Sequence, residues 1–243
     1  MEVHNPHHIT HKKKWHEYLL EFFMLFLAVF LGFLAENKRE HVVEANRAKE
    51  FAMLLLTDLK NDSAFITGIT NVKQIKVKHE DSLMMVLNSE SFINNNYRVV
   101  YHFRYVSSLT DFKPAFPVNF DQIKNSGSLR YYKSKELVTE LSSLNRHFAT
   151  TSEVFEKHNE FVLQQLTPFA LQHFDTQQWD VFSGNIKVDT PDIFDWNKKE
   201  AILLANKVNL TKTYDFFIIS YLNLAKEKIN NLILMIKKEY DLE

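Results

Sequence analysis

The run from Tyr18 to Ala35, YLLEFFMLFLAVFLGFLA, is the feature that most restricts how this chain can fold. A helix needs roughly 20 mostly apolar residues to cross the hydrocarbon core of a bilayer, and this run carries one charge, Glu21, a turn inside its start. Three readings compete: a buried core helix, a cleaved signal and a retained anchor. A core helix shows polar residues at helical spacing, whereas Phe22 to Ala35 is apolar on every face. A cleavable signal places small residues before the cut, and at the one candidate site, after Ala35, the bulky Phe33 stands two positions earlier. The run is therefore expected to be an uncleaved span, with Trp15 and Tyr18 at headgroup level.

Within the span, Glu21 is either a carboxylate that reaches the interface or one that faces a partner helix or an ion path. Ala28 and Gly32 form a small-xxx-small pair that lets a second helix approach closely, so Glu21, Ala28 and Gly32 are the candidate helix-packing residues. Before the span lie Lys12, Lys13 and Lys14. After it lie Lys38, Arg39, Arg47 and Lys49, interleaved with Glu36, Glu40, Glu44 and Glu50. The Lys and Arg counts nearly balance. The clustered lysines of the short tail favour a cytoplasmic N-terminus, with everything after the span outside the cytoplasm.

Composition closes several functional classes. A net charge of -1 with 24% charged residues argues against a nucleic-acid footprint. The absence of Cys rules out disulfides, thiolate metal sites, a cysteine nucleophile and a lipoprotein anchor. Gly occurs only at 32, 68, 127 and 184, so no phosphate-cradling loop can be written, and there is neither HExxH nor a Glu-x-x-His pair. Ser126 and Ser128 flank Gly127 without the spacing of a nucleophile elbow. His4, His7, His8, His11 and His16 can hold Zn or Ni loosely but have no folded second shell. Glu153, Glu156 and His158 are expected on a solvated helix face. No catalytic, cofactor-binding or metal residue is predicted, and no cofactor.

The rest reads as helices. From Ala35 to Thr67 there is no breaker, so the span is expected to run on as a rod with Phe51, Leu55, Leu59, Ile66 and Ile69 on one face. Gly68 is expected to kink it before a further helix carrying Val72, Ile75, Leu83, Val86 and Leu87. Residues 88–97, 110–118 and 172–196 read as linkers, and 97–109 as a helix despite strong strand formers. Asn119 is expected to cap a short helix ending at Gly127, and Ser134 a long helix from Lys135 to about Leu166, ended or bent by Pro168. Asn197 with Glu200 forms a capping box opening a last helix to about Tyr240, its apolar face given by Leu204, Val208, Phe217, Tyr221, Leu224, Ile229, Leu232 and Ile236. The stretch Phe216–Leu224 is apolar enough to suggest a second span, but Lys226, Glu227 and Lys228 follow, so it is read as core. The expected fold is all-α: a tail at 1–17, a transmembrane helix at 18–35, and a membrane-tethered antiparallel helical bundle over 36–243.

KKWHEYLLEFFMLFLAVFLGFLAENKREH at 13–41 and RAKEFAMLLLTDLKND at 47–62 resemble the N-terminus of a family of uncharacterised single-span membrane proteins from Bacteroidota-type Gram-negative bacteria. FDQIKNSGSLRYYKSKEL at 120–137 is similar to that family's short helix and Ser-Gly turn, which singles out Asn125, Gly127 and Arg130 as a turn motif. Tyr132 stands where members often carry an aliphatic residue. The resemblance covers less than half the chain. It implies a membrane-anchored helical protein of unknown function and supplies no catalytic or ligand residues; with the orientation favoured by the tail lysines, the expected location is the inner membrane, single-pass, with the C-terminal domain periplasmic. Two functions stay open: an interaction or scaffold protein of the cell envelope, whose partners are the bilayer and a second copy or another envelope protein, and a small-molecule sensor signalling through a partner. An enzyme is not expected.

Overall fold

The computed structural model describes residues 14–89, 96–174 and 197–242, and the chain divides into two compact units, Met1–Lys49 and Glu50–Glu243. Helix α1 spans Trp15–Leu87, 73 residues without a break. In its part within the first unit, residues 14–43 are all exposed. Phe22, Phe26 and Phe30 stack one turn above the next, with ring centroids 6.5 and 5.9 Å apart. Among the described residues α1 is the one helix long and apolar enough to cross a membrane.

The second unit is organised by a strict alternation of three- and four-residue steps. In α1 the buried series is Ala52, Leu55, Leu59, Asp62, Ile66, Ile69, Lys73, Lys76, Glu80, Leu83 and Leu87. Helix α4 (Lys135–Phe161) repeats it at Leu137, Leu141, Leu144, Phe148, Thr151, Phe155 and His158. Helix α6 (Lys198–Tyr240) does so from Ala201 and Leu204 through Val208, Thr211, Asp215 and Ile218 to Ile236. A seven-residue repeat of this kind keeps one seam of each helix facing its neighbours.

Hydrogen bonds across the seams fix the direction of each helix. Thr67, Lys73 and Asp81 of α1 meet Lys226, Asp215 and Lys212 of α6, so these two run antiparallel. Ser134 at the start of α4 is bonded by Glu239 at the end of α6, so that pair is antiparallel too. The remaining side is filled by α2 (Asn96–Val106) and α3 (Phe116–Asn125). His102 of α2 meets His79, while Phe116 and Asn119 of α3 meet Asp62 and Asp58, so both run against α1. The result is an up-down-up-down four-helix bundle whose second helix is broken in the middle.

Local chemistry accounts for most helix ends. Ser134 accepts from the Leu137 amide at 3.0 Å, and Asn197 and Glu200 complete the expected capping box. Gly127, at φ 72°, takes the left-handed position after α3 that a side chain would strain. Ahead of Pro168, which has no amide proton, the wide turn Val162–Leu166 replaces α-helical bonding, and Lys207 donates to the Gln165 carbonyl at 3.0 Å. Helix α5 (Thr167–His173) then closes the third arm.

Several expectations are corrected. Gly68 does not interrupt α1. Val72 and Ile75 are half exposed, and Lys73, Lys76 and Glu80 take the inward positions. Phe216, Phe217 and Leu224 lie outside rather than in the core. Asn96 and Tyr97 already belong to α2, and α3 starts at Phe116, inside the expected linker 110–118. Residues 1–13, 90–95 and 175–196, which include most of the tail and most of the expected linkers 88–97 and 172–196, fall outside the described residues.

Asn119 is likewise not the cap of α3. It sits within the helix and donates to Asp58 at 2.7 Å. Ala115 at the N-cap has no side-chain acceptor, so the Asp62 carboxylate of α1 receives the Ala115 and Phe116 amides at 2.7 and 2.9 Å. Because a helix start leaves its first amides unpaired, Asp62→Ala should lower unfolding stability by about 2 kcal/mol. Asn119→Ala should cost clearly less, as read from urea midpoints of the full chain in detergent. Equal losses would contradict Asp62 as the cap.

Candidate functional site

The apolar core comes in two parts. One is built from Leu55, Leu59, Phe116, Phe120, Phe148 and Ile229 and their neighbours. The other is built from Leu83, Val99, Phe103, Val162 and Leu204. Between them in the chain order of α1, α4 and α6 lie the inward positions occupied by Lys73, Lys76, Glu80, His158 and Asp215. None of these five is more than 2% exposed.

Asp215 is the hub of this layer. Lys73 Nζ donates to its Oδ1 at 2.7 Å, Lys76 Nζ stands 3.5 Å from Oδ2, and His158 Nε2 stands 3.5 Å from Oδ1. Burial alone would raise the Asp215 carboxyl, but His158 and the two ammonium groups more than offset that and hold it well below the usual carboxylate range. Lys73 also lies 5.3 Å from the centre of the Phe155 ring.

Lys76 is completed by the break between α2 and α3. It donates to the Ser108 carbonyl at 3.2 Å and meets His158 Nε2 at 3.1 Å. Ser108 lies just past the end of α2, so its carbonyl is free of helical bonding. Asn159, next to His158, holds the same connector through the Thr110 amide and carbonyl. Burial lowers Lys76 to about 8, with Lys73 adding to that and Asp215 opposing it. Burial also lowers His158, which favours its neutral form, and its Nε2 either donates to Asp215 or accepts from Lys76 according to the tautomer, not both.

Glu80 is the anomalous member. Both its carboxyl oxygens are buried without a hydrogen-bond partner among the described side chains, as is Asp215 Oδ2. Burial first, then the negative charge of Asp215, push Glu80 up to about 9. At neutral pH Glu80 is therefore an uncharged acid whose hydroxyl can donate towards Asp215, and the layer retains an excess of positive charge.

The residues singled out from the sequence do not converge on this layer. Ala28 and Gly32 are exposed in the first unit along with Glu21, and a Cβ at Gly32 would meet open space. Asn125 and Arg130 are exposed around the Gly127 turn, where Arg130 lies over the Tyr131 ring at 4.9 Å. Tyr132 is buried edge-on to Tyr240, with ring centroids 6.2 Å apart. His158, expected on a solvated face with Glu153 and Glu156, is fully buried while those two are exposed. The signal for the layer was the three-four spacing itself, which places all five charged or titratable side chains in register with the core leucines. A second pair, His79 and His102, joins Nδ1 to Nδ1 at 2.9 Å, with His79 stacked on Tyr105 at 3.7 Å. Among the described residues no three His, Cys, Asp or Glu side chains come together to hold a metal.

Folding coupled to Glu80 has a definite sign. The folded chain keeps the Glu80 proton up to about 9, while the ordinary value is 4.5, so stability falls as pH rises between them. His158 opposes this only below its ordinary 6.5, and Lys76 only above about 8. From about pH 6.5 to 8 the melting temperature of the wild type should fall, and Glu80→Gln should flatten that slope. Equal slopes in both proteins would show that Glu80 ionises normally.

Comparison with known protein families, curated proteins and solved structures finds no match to this chain.

Proposed function

We propose that this is a membrane-anchored interaction protein of the bacterial cell envelope, with its N-terminus in the cytoplasm and its bundle on the outer side of the inner membrane. The observation that carries this reading is the helical segment from Tyr18 to Ala35, in which every side chain is exposed and nearly every one is apolar. Such a surface is stable in hydrocarbon and not in water. The resemblance of residues 13–41 and 47–62 to single-span membrane proteins of Gram-negative bacteria supports the anchor.

The bundle is read as an adaptor rather than an enzyme because its strongest chemistry is spent internally. Lys73, Lys76, His158 and Asp215 bond one another or the backbone, and a sensor would need a cavity opening on side chains that are at most 2% exposed. What the bundle offers outward is surface.

The protein should stay in the membrane fraction after alkaline washing, and a reporter active only outside the cytoplasm should be active when fused after Glu243. Release by alkali would remove the anchor, and an inactive C-terminal fusion with an accessible N-terminus would reverse the orientation.

A further inference from the structure

The buried face of α6 has a counterpart on its outer side. Leu203, Leu210, Phe217 and Leu224 recur every seven residues, and each is about half exposed, at 51%, 46%, 57% and 45%. Asn206, Thr213 and Ser220 lie between them, so 203, 206, 210, 213, 217, 220 and 224 repeat the three-four spacing of the core seam. Ile202 and Phe216 flank the column, also half exposed. No exposed residue from Ile202 to Leu224 carries a charge. The outer face of α4 shows the contrast, with Arg146, Glu153, Glu156, Lys157 and Glu160 exposed.

We propose that this face of α6 pairs with the same face of a second copy of the chain. The proposal deepens the interaction reading above by naming the partner, and rests on it. Periodicity is the first reason, because a column repeating every seven residues meets its own copy in register, as in a two-stranded coil. Charge is the second. A two-fold contact sets each residue near its own equivalent, so a face that pairs with itself must keep like charges out of the contact, and the two lysines that border this one are tied back into the bundle, Lys212 to Asp81 and Lys207 to the Gln165 carbonyl.

Area is the third reason. Six half-exposed apolar side chains present on the order of 100 Å² each, about 600 Å² together, which is the upper end of what a monomer leaves in one patch. The intervening Asn, Thr and Ser bring the face towards the ~800 Å² per partner of a standard interface. A bilayer is a poorer occupant, because membrane-surface helices border their apolar face with Lys and Arg free to reach the headgroups, and here Lys207 and Lys212 are bound to Gln165 and Asp81.

The chain has no cysteine, so single cysteines report contacts without background. In native membranes carrying the full chain, Thr213→Cys and Ser220→Cys should form disulfide-linked homodimers on mild oxidation, several-fold more than Thr150→Cys on the exposed side of α4. Adding Phe217→Lys or, independently, Leu210→Lys should abolish the crosslink while circular dichroism stays unchanged. Linkage no greater than at Thr150→Cys, capture of a different protein in place of a second copy, or dimers that survive both lysines would each overturn the proposal. Alkaline washing of the same membranes separates the two claims: a retained monomer ends self-pairing alone, whereas a released chain ends the anchored reading.

Discussion

The salt bridge between Lys73 and Asp215, 2.7 Å long and wholly buried, is the interaction on which the arrangement of the bundle turns. An isolated ion in a protein interior costs several kcal/mol of lost hydration, and here the cost is spread over a set that satisfies most of its members. Asp215 draws on two lysines and a histidine, Lys76 draws on a backbone carbonyl, and Glu80 keeps its proton rather than face Asp215 as a second anion. Each choice depends on the others. Removing Lys73 would take from Asp215 its 2.7 Å bond and leave Lys76 at 3.5 Å as the remaining cation, and straightening the second helix would reclaim the Ser108 carbonyl from Lys76. Buried polar groups at seam positions commonly fix register. Sliding any arm by one turn would set these charges against leucine and phenylalanine from the two apolar clusters.

Much of this was legible in the sequence, for physical reasons that can be named. Ser134, Asn197 with Glu200, and Gly127 act through bonds or dihedrals within a few residues, and these local devices stand where expected. Core positions followed the spacing wherever they were apolar, as at Leu137, Leu141, Leu144 and Phe148. The reading failed where hydrophobicity and periodicity disagreed. Val72 and Ile75 looked like core and Lys73 and Lys76 like surface, yet the step from Ile69 leads to Lys73 and Lys76. In the same way Phe217 and Leu224 drew the expected face of α6 away from Thr211 and Asp215. The cap of α3 was illegible because its acceptor, Asp62, comes from another helix 53 residues earlier.

The same disagreement makes the outer side of α6 distinctive. Two features of the bundle run against the usual distribution: Lys73, Lys76, Glu80, His158 and Asp215 are buried on three helices, and α6 shows Leu203, Leu210, Phe217 and Leu224 outside. The ionic layer accounts for the first, and the proposed pairing with a second copy would account for the second. Together with the segment from Tyr18 to Ala35, which is long and apolar enough to cross a membrane, the chain has two exposed apolar surfaces.

The most direct test of the ionic layer as the organising feature is a double-substitution cycle on its central pair, read from urea midpoints of the full chain in detergent. Lys73→Met and Asp215→Leu should each cost about 3–5 kcal/mol, because each strands a buried charge, and the double substitution should cost far less than their sum. Losses that add to within about 0.5 kcal/mol would show that the two residues act independently, and would contradict the layer as the element that holds the helices in register.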